Sequence, residues 1–301
     1  MLALSYAKYG DPSVLELSHV TEPHAGPGQV RIAVRAAGVN PTDWKFRSGL
    51  LKDAFPMQLP TIVGFEASGV VDEVGAGVDG VQVGDEVFGM GSATTAEFAV
   101  LDHFTHKPAV LSWEQAAGVA LAAETALRGL ELLGVASGQV LLVEGAAGGV
   151  GSAAAQFAIA RGLTVIGTAS EPNHEYLRSL GVVPTTYGPG LKDRVAALAP
   201  GGIDAAFDVA GKGSLRDLVD IVGGPEKVVT VADFSAAEHN VRLTVAPEAF
   251  HALSEAARLV EGGRYTVAVD SHFGLGDAAK AHQRSEAGHL RGKIILKVVD
   301  N

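Results

Sequence analysis

The residues 139–162, QVLLVEGAAGGVGSAAAQFAIARG, carry the pattern best suited to chemistry. An apolar run ends in Gly145-Ala146-Ala147-Gly148-Gly149-Val150-Gly151, and an alanine-rich helical stretch opens there. Glycine lets the backbone approach a diphosphate, and the first turn of a helix offers unpaired N–H groups and a partial positive charge. Ala147, Gly148, Gly149, Val150 and Gly151 are therefore the expected cradle of a dinucleotide. The spacing is a variant, because alignment on Gly148 and Gly151 puts Ala146 at the first fingerprint position. Alone, such a loop also fits a plain tight turn or a methyltransferase-like nucleotide fold. NAD-specific folds place an acidic side chain about 20 residues past the loop. Here the next strand ends at Ser170, which can donate to a 2′-phosphate, and Tyr187 can add a phenolic bond. That favours NADPH. Glu171 and Pro172 work against it, by negative charge and a missing donor, so NADH is possible. His103 and His106 would share a helix face, but 101–108 reads as a strand end entering a loop. With no cysteine or third histidine beside them, no metal site is expected.

These residues need elements to hold them. Up to about residue 110 the chain reads as β-rich. Residues 30–36 alternate apolar and polar, and 64–74 and 81–88 are short, β-branched and broken by glycine. That pattern predicts a small barrel. Ser112 and Gln115 fit a capping box ahead of a helical stretch to about 133. Strands at 140–144, 164–169, 182–187, 203–209 and 227–232 then alternate with helices at 150–161, 175–180, 191–198 and 215–222. This alternation predicts an α/β fold with a doubly wound parallel sheet. Residues 241–245 predict an edge strand. The tail reads as helix 247–261, strand 265–269, helix 275–286 and strand 293–299.

Composition narrows the function. The 301 residues are 47% hydrophobic and 19% charged, so disorder is excluded. Net charge −11 disfavours a nucleic-acid partner. The absence of cysteine rules out disulfides and thiolate metal sites. Neither a signal peptide nor a membrane span is visible, so a cytoplasmic protein is expected.

Several motifs in order resemble the zinc-independent branch of the medium-chain dehydrogenase/reductase superfamily, the quinone oxidoreductases and enone reductases. They are Ala37-Gly-Val-Asn40-Pro-Thr-Asp43, Arg47-Ser-Gly49, Gly64-Phe-Glu66-Ala-Ser-Gly, Val83-Gly-Asp-Glu-Val-Phe-Gly89, the glycine loop, Thr168-Ala-Ser170 and Gly292-Lys293-Ile-Ile-Leu296. The resemblance implies a GroES-like β-barrel catalytic domain at 1–114 and 263–301. It also implies a Rossmann NAD(P)-binding domain at 115–262, NADPH in the cleft between the two, and a homodimer. Zinc-dependent relatives carry Cys near position 40 and His at 65, where this chain has Asn40 and Phe65.

The resemblance also implies roles. Asn40, Lys45 and Thr125 are the candidate catalytic residues, as hydrogen-bond donors near the nicotinamide or the substrate oxygen. Trp44, Phe46 and Phe65 are candidates for an apolar wall against a flat substrate. Val209, Val231 and Phe273 lie in segments that pass the nicotinamide. Each has a plainer role: turn residue for Asn40, surface cation for Lys45, helix-start hydroxyl for Thr125, core packing for Phe65. Asp43 and Glu66 are expected to make structural hydrogen bonds. The expected activity is zinc-independent hydride transfer from NADPH to a quinone or α,β-unsaturated carbonyl. A dinucleotide-binding redox sensor or structural protein, or an enoyl reductase for a carrier-bound chain, are the alternatives.

Overall fold

The computed structural model describes residues 1–298. Along the chain, strands β1 (Leu2–Tyr6), β2 (Glu16–His19) and β3 (Val30–Val39) precede helix α1 (Pro41–Arg47). Then come β4 (Thr61–Ile62), β5 (Glu66–Val74), β6 (Glu86–Met90), β7 (Phe98–Leu101) and β8 (His103–His106). Helices α2 (Trp113–Ala117) and α3 (Ala120–Leu133) follow. The alternating stretch runs β9 (Val140–Glu144), α4 (Gly149–Ala160), β10 (Thr164–Thr168), α5 (His174–Ser179), β11 (Val183–Thr185) and α6 (Leu191–Leu198). It continues β12 (Ala205–Asp208), α7 (Leu215–Val222), β13 (Val228–Thr230) and β14 (Arg242–Leu243). The tail is α8 (Ala252–Glu261), β15 (Val269–Gly274), α9 (Ala278–Ala287) and β16 (Lys293–Lys297).

Two compact units result: Met1–Leu121, Leu253–Glu261 and Thr266 onward form one, Ala122–Ala252 and Gly262–Tyr265 the other. In the first, a sheet of order β15-β16-β3-β5-β6-β8 carries β7 on β3, and β2-β1-β4 forms a smaller sheet. The alternation seen in β3 buries Val30, Ile32 and Val34 against Val71, Val87 and Leu101. The second unit is a parallel sheet of order β11-β10-β9-β12-β13-β14. Numbered from β9, this is the doubly wound order 3-2-1-4-5-6, whose direction reverses between β9 and β12. Leu142, Ile166 and Ala206 pack there against Leu215, Leu218 and Val222 of the amphipathic α7. The expected capping box is present: Ser112 Oγ accepts from Gln115 N–H at 3.2 Å, and Gln115 Oε1 from Ser112 N–H at 3.1 Å.

The α/β fold, with its β-rich domain and doubly wound parallel sheet, is as the sequence predicts, but four local expectations are corrected. Strand 81–88 starts only at Glu86, because Gln82 and Asp85 close a turn in which Asp85 Oδ2 accepts from Gln82 N–H at 2.9 Å. Helix 247–261 starts only at Ala252. Glu124 takes the Ala249 N–H at 3.0 Å and Arg128 donates to Thr244 O at 2.8 Å, so the preceding loop bonds to side chains instead. The strand expected at 265–269 lies at Val269–Gly274, and Tyr265 instead packs its ring 5.5 Å from Phe157. His103 and His106 sit within β8, where residues three apart point to opposite faces. The last predicted strand, 293–299, is seen as Lys293–Lys297, and Val299 lies outside the described residues.

Candidate functional site

The six parallel strands of the second unit end on one edge of its sheet, and the sequence-predicted dinucleotide residues gather there. The loop after β9 turns at Gly145, whose φ of 85° favours glycine. Gly148 is the N-cap of α4, in extended conformation and without a side chain to satisfy the first-turn amides. Gly148, Gly149 and Val150 are partly exposed, and Ala147 is buried beneath them. A Cβ added at Gly148 would meet only Gly145 O, at 3.6 Å, so approach to the loop is open. At Gly151 a Cβ would clash with Gly145 O and Ala146 Cα, so this glycine lets helix and strand close together. Thr168 of β10 pairs with Thr185 of β11, and Ser170 and Tyr187 each stand two residues further on. Ser170 Oγ accepts from Asn173 Nδ2 at 3.2 Å, Tyr187 is half exposed, and Glu171 is exposed. Val209 follows β12, its N–H bonded to Glu144 O, and Val231 follows β13, bonded to Asp208 O. Thr125, on α3, is buried and donates to Glu124 Oε2 at 3.3 Å.

Beneath this edge lie two acids that sequence reasoning did not single out. Glu144 ends β9 and Asp208 ends β12, and they are partners in the strand register, so both project from the same face at the point of reversal. Glu144 is 3% exposed and Asp208 fully buried. Glu144 Oε2 accepts from Thr168 Oγ1 at 2.9 Å. Asp208 accepts from Thr230 Oγ1 at 2.7 Å and from the Ala210 and Gly211 amides, both at 3.0 Å. Burial pushes the Glu144 carboxyl up to about 7, the Asp208 and Asp217 charges add to this, and the Thr168 bond opposes it. Burial raises Asp208 too, against its hydrogen bonds.

In the first unit, Asn40 leaves β3 for α1 and its backbone N–H donates to Asp43 Oδ2 at 2.7 Å. Asn40 Nδ2 donates to Glu66 Oε1 at 2.9 Å. Lys293 Nζ donates to the same carboxylate oxygen at 2.6 Å and also to Asn40 Oδ1. Glu66 Oε2 accepts from Leu121 N–H at 2.8 Å. Asn40, Glu66 and Lys293 are all buried. Gly38 makes room for them, since a Cβ there would strike Glu66 Oε1. Asp43 Oδ1 is buried without a partner, and desolvation pushes this carboxyl up to about 7 against the Asn40 amide and the Lys293 charge. Phe46 and Phe65 meet at a ring distance of 5.6 Å, and Phe55, half exposed, joins Phe46 at 6.2 Å. Trp44 is half-buried, and Lys45 Nζ lies 5.9 Å from its ring centroid. Phe273, on β15, packs against the cluster containing Leu275 and Leu296.

The structure thus brings the glycine-loop residues together with Ser170, Tyr187, Val209 and Val231 along one sheet edge, and Asn40 together with Glu66. Lys293 opens the closing apolar strand β16, and only its distant partners mark it. The loop fits a dinucleotide: uncapped helix amides, an open approach and a sheet reversal coincide. A zinc ion is not fitted at Asn40, Phe65 and Glu66, which offer a single carboxylate already bonded to an ammonium. Among the described residues, no group of three or more His, Cys, Asp or Glu side chains is placed to hold a metal ion. No helix there is long and apolar enough to cross a membrane.

Residues 26–131 match the alcohol dehydrogenase GroES-like domain family, and 189–296 match the zinc-binding dehydrogenase family. The 2-methylene-furan-3-one reductase of Solanum lycopersicum is 33% identical, over 98% of this chain and 79% of that one. The structure of the quinone oxidoreductase from Coxiella burnetii is similar with a TM-score of 0.85, at 31% identity over 99% of both chains. A mycobacterial protein solved in complex with NADPH has a TM-score of 0.85, at 28% identity over 99% of this chain and 100% of that one.

Proposed function

Because the chain belongs to the medium-chain dehydrogenase/reductase superfamily, with quinone oxidoreductases and enone reductases as relatives, we propose that it is a zinc-independent, NADPH-dependent reductase of quinones or α,β-unsaturated carbonyls. The observation that carries this is the uncapped glycine loop at the sheet reversal. When bound, the dihydronicotinamide supplies the hydride that reduces an electron-poor carbon. The amides of Gly149, Val150 and Gly151 hold the diphosphate, with Ala147 and Gly148 shaping the turn. Ser170 and Tyr187 donate to the 2′-phosphate, while Val209 and Val231 flank the nicotinamide. Asn40 Nδ2 and Lys45 Nζ donate to the substrate oxygen as it gains charge, a stabilisation aimed at the transition state, whereas the Thr125 hydroxyl is spent on Glu124. Solvent supplies the proton. Phe46, Phe65 and Trp44 give the flat substrate an apolar face. Charge −11 accords with a cytoplasmic protein whose partner is a small molecule and not a nucleic acid. A homodimer would cover β14, the last strand of its sheet, and the exposed Val245 beyond it.

NADPH and NADH oxidation, measured in parallel on a panel of quinones and enones, tests this function. Turnover on at least one acceptor, faster with NADPH and unchanged by a strong chelator, is the expected result. Tight NADPH binding without turnover on any acceptor would replace it by a redox-sensor role.

A further inference from the structure

The amide of Asn40 lies between two groups of opposite character. Lys293 Nζ can only donate, and it donates to Asn40 Oδ1. Glu66 accepts, and its Oε1 takes one Asn40 Nδ2 hydrogen at 2.9 Å and a Lys293 hydrogen at 2.6 Å. Turning the amide over would set its NH₂ against the ammonium and its oxygen against the carboxylate. Two bonds would be lost and two repulsions gained, in a place where the three residues are at most 5% exposed. The frame around the amide is equally fixed. Glu66 Oε2 is tied to the Leu121 amide, and Asn40's own N–H to Asp43. Lys293 stands at the start of β16, whose next residue, Ile294, pairs with Val39 beside Asn40.

A loose asparagine presents either an acceptor or a donor to a ligand. The oxygen of a quinone or enone accepts, and increasingly so as reduction proceeds. An amide with its oxygen held by a lysine has an N–H side to offer and no free choice of face. We propose that Lys293 is a positioning residue: held against Glu66, it locks the Asn40 amide so that Asn40 serves as a dedicated hydrogen-bond donor to the substrate oxygen. This role rests on the reductase activity proposed above and on Asn40 meeting the substrate in it.

The test is a cycle of variants in the full chain. Lys293→Met combined with Glu66→Gln removes both charges together, so no buried charge is left alone. Asn40→Ala is made in the wild type and in that double variant. The expected result is a fall in kcat of tenfold or more for Asn40→Ala, a comparable fall for the folded double variant, and little further loss when the two are combined. NADPH affinity, read by fluorescence titration, stays within about twofold throughout. A general structural role for Lys293 would instead give losses that multiply, or a loss of NADPH affinity. Wild-type kcat in the folded double variant overturns the positioning role, as does wild-type kcat in Asn40→Ala. Should the double variant not fold, Asn40→Asp decides, because it keeps an oxygen for Lys293 but has no N–H. It should lose as much kcat as Asn40→Ala, and wild-type turnover would refute the proposal. Absence of NADPH oxidation on every acceptor by the wild type would instead strike at the reductase function itself.

Discussion

Replacing Glu144 by glutamine should stabilise this protein, and more so as pH rises. Burial lifts the carboxyl from its ordinary 4.5 to about 7 in the fold. The folded chain therefore holds this proton more tightly than the unfolded chain does. The contribution to stability is full below about pH 4.5 and is lost as pH rises through about 7, the reverse of a salt-bridged acid. Each pH unit in that window is worth about 1.4 kcal/mol, so by pH 8 the wild type has lost about 3 kcal/mol. Glutamine carries no charge and still offers an oxygen to Thr168 Oγ1, the 2.9 Å partner of the native carboxylate. The expected gain for Glu144→Gln is thus near zero at pH 4.5 and about 3 kcal/mol at pH 8, or on the order of 5–10 °C in Tm. Calorimetric melting of both proteins at pH 5, 6, 7 and 8 reads the difference, in which other titrating groups largely cancel. A Tm gap that does not change with pH, or a variant less stable than the wild type at pH 8, would show that the acid is not held protonated by its surroundings.

Four other outcomes are expected. His282 on α9 is fully buried with both ring nitrogens unpartnered, and desolvation, aided by the Arg47 charge, holds it down to about 4. Its stability contribution is present above about pH 6.5 and lost as pH falls towards 4, so His282→Leu should gain about 2 kcal/mol relative to wild type on going from pH 7 to pH 5, read by urea melts. Gly149→Val puts a bulky side chain at the first turn of α4 and should weaken NADPH binding at least tenfold, about 1.4 kcal/mol, by titration of a variant with a native circular dichroism spectrum. Glu171→Arg replaces an exposed negative charge next to Ser170, and should raise kcat/KM for NADPH while hardly altering that for NADH. Light scattering at micromolar concentration should give a dimer mass, and a monomer mass would leave the β14 edge uncovered.

The sheet of the second unit was legible because its signals are local. Alternating strand and helix periods, one glycine turn and short connections specify β9 to β13 within two residues or so at most ends. Where the reading slipped, a longer-range demand prevailed over the local pattern. Residues 81–85 alternate like a strand, yet the Asp85 carboxylate bonds back to Gln82 and makes a turn. Tyr265 has strand propensity but spends its ring on Phe157. The loop before α8 is bonded to Glu124 and Arg128, more than a hundred residues away. The candidate site divides in the same way. The glycine loop announces itself in seven consecutive residues, whereas the buried polar groups of the first unit draw on residues 38, 40, 66, 121 and 293.

Glu66 and Glu144 show why such groups resist reading from sequence. Glu66 opens β5 and Glu144 closes β9, and nothing immediately beside either acid in the chain announces its environment. Their partners do. Glu66 has an ammonium contributed from 227 residues away, an amide and a backbone N–H, so removing the ammonium would strand a buried charge, at a cost typically of about 3–5 kcal/mol. That pairing makes a rigid fixture, suited to holding an amide in one orientation. Glu144 has a hydroxyl and a neighbouring acid, and no described salt bridge, so it answers burial by taking up a proton. It is also the residue immediately before Gly145, at the base of the loop proposed to receive a multiply charged diphosphate. An ionised carboxylate there would oppose that ligand and a protonated one would not. The same burial that costs stability above neutral pH therefore lowers the negative charge next to the glycine loop as pH falls below about 7.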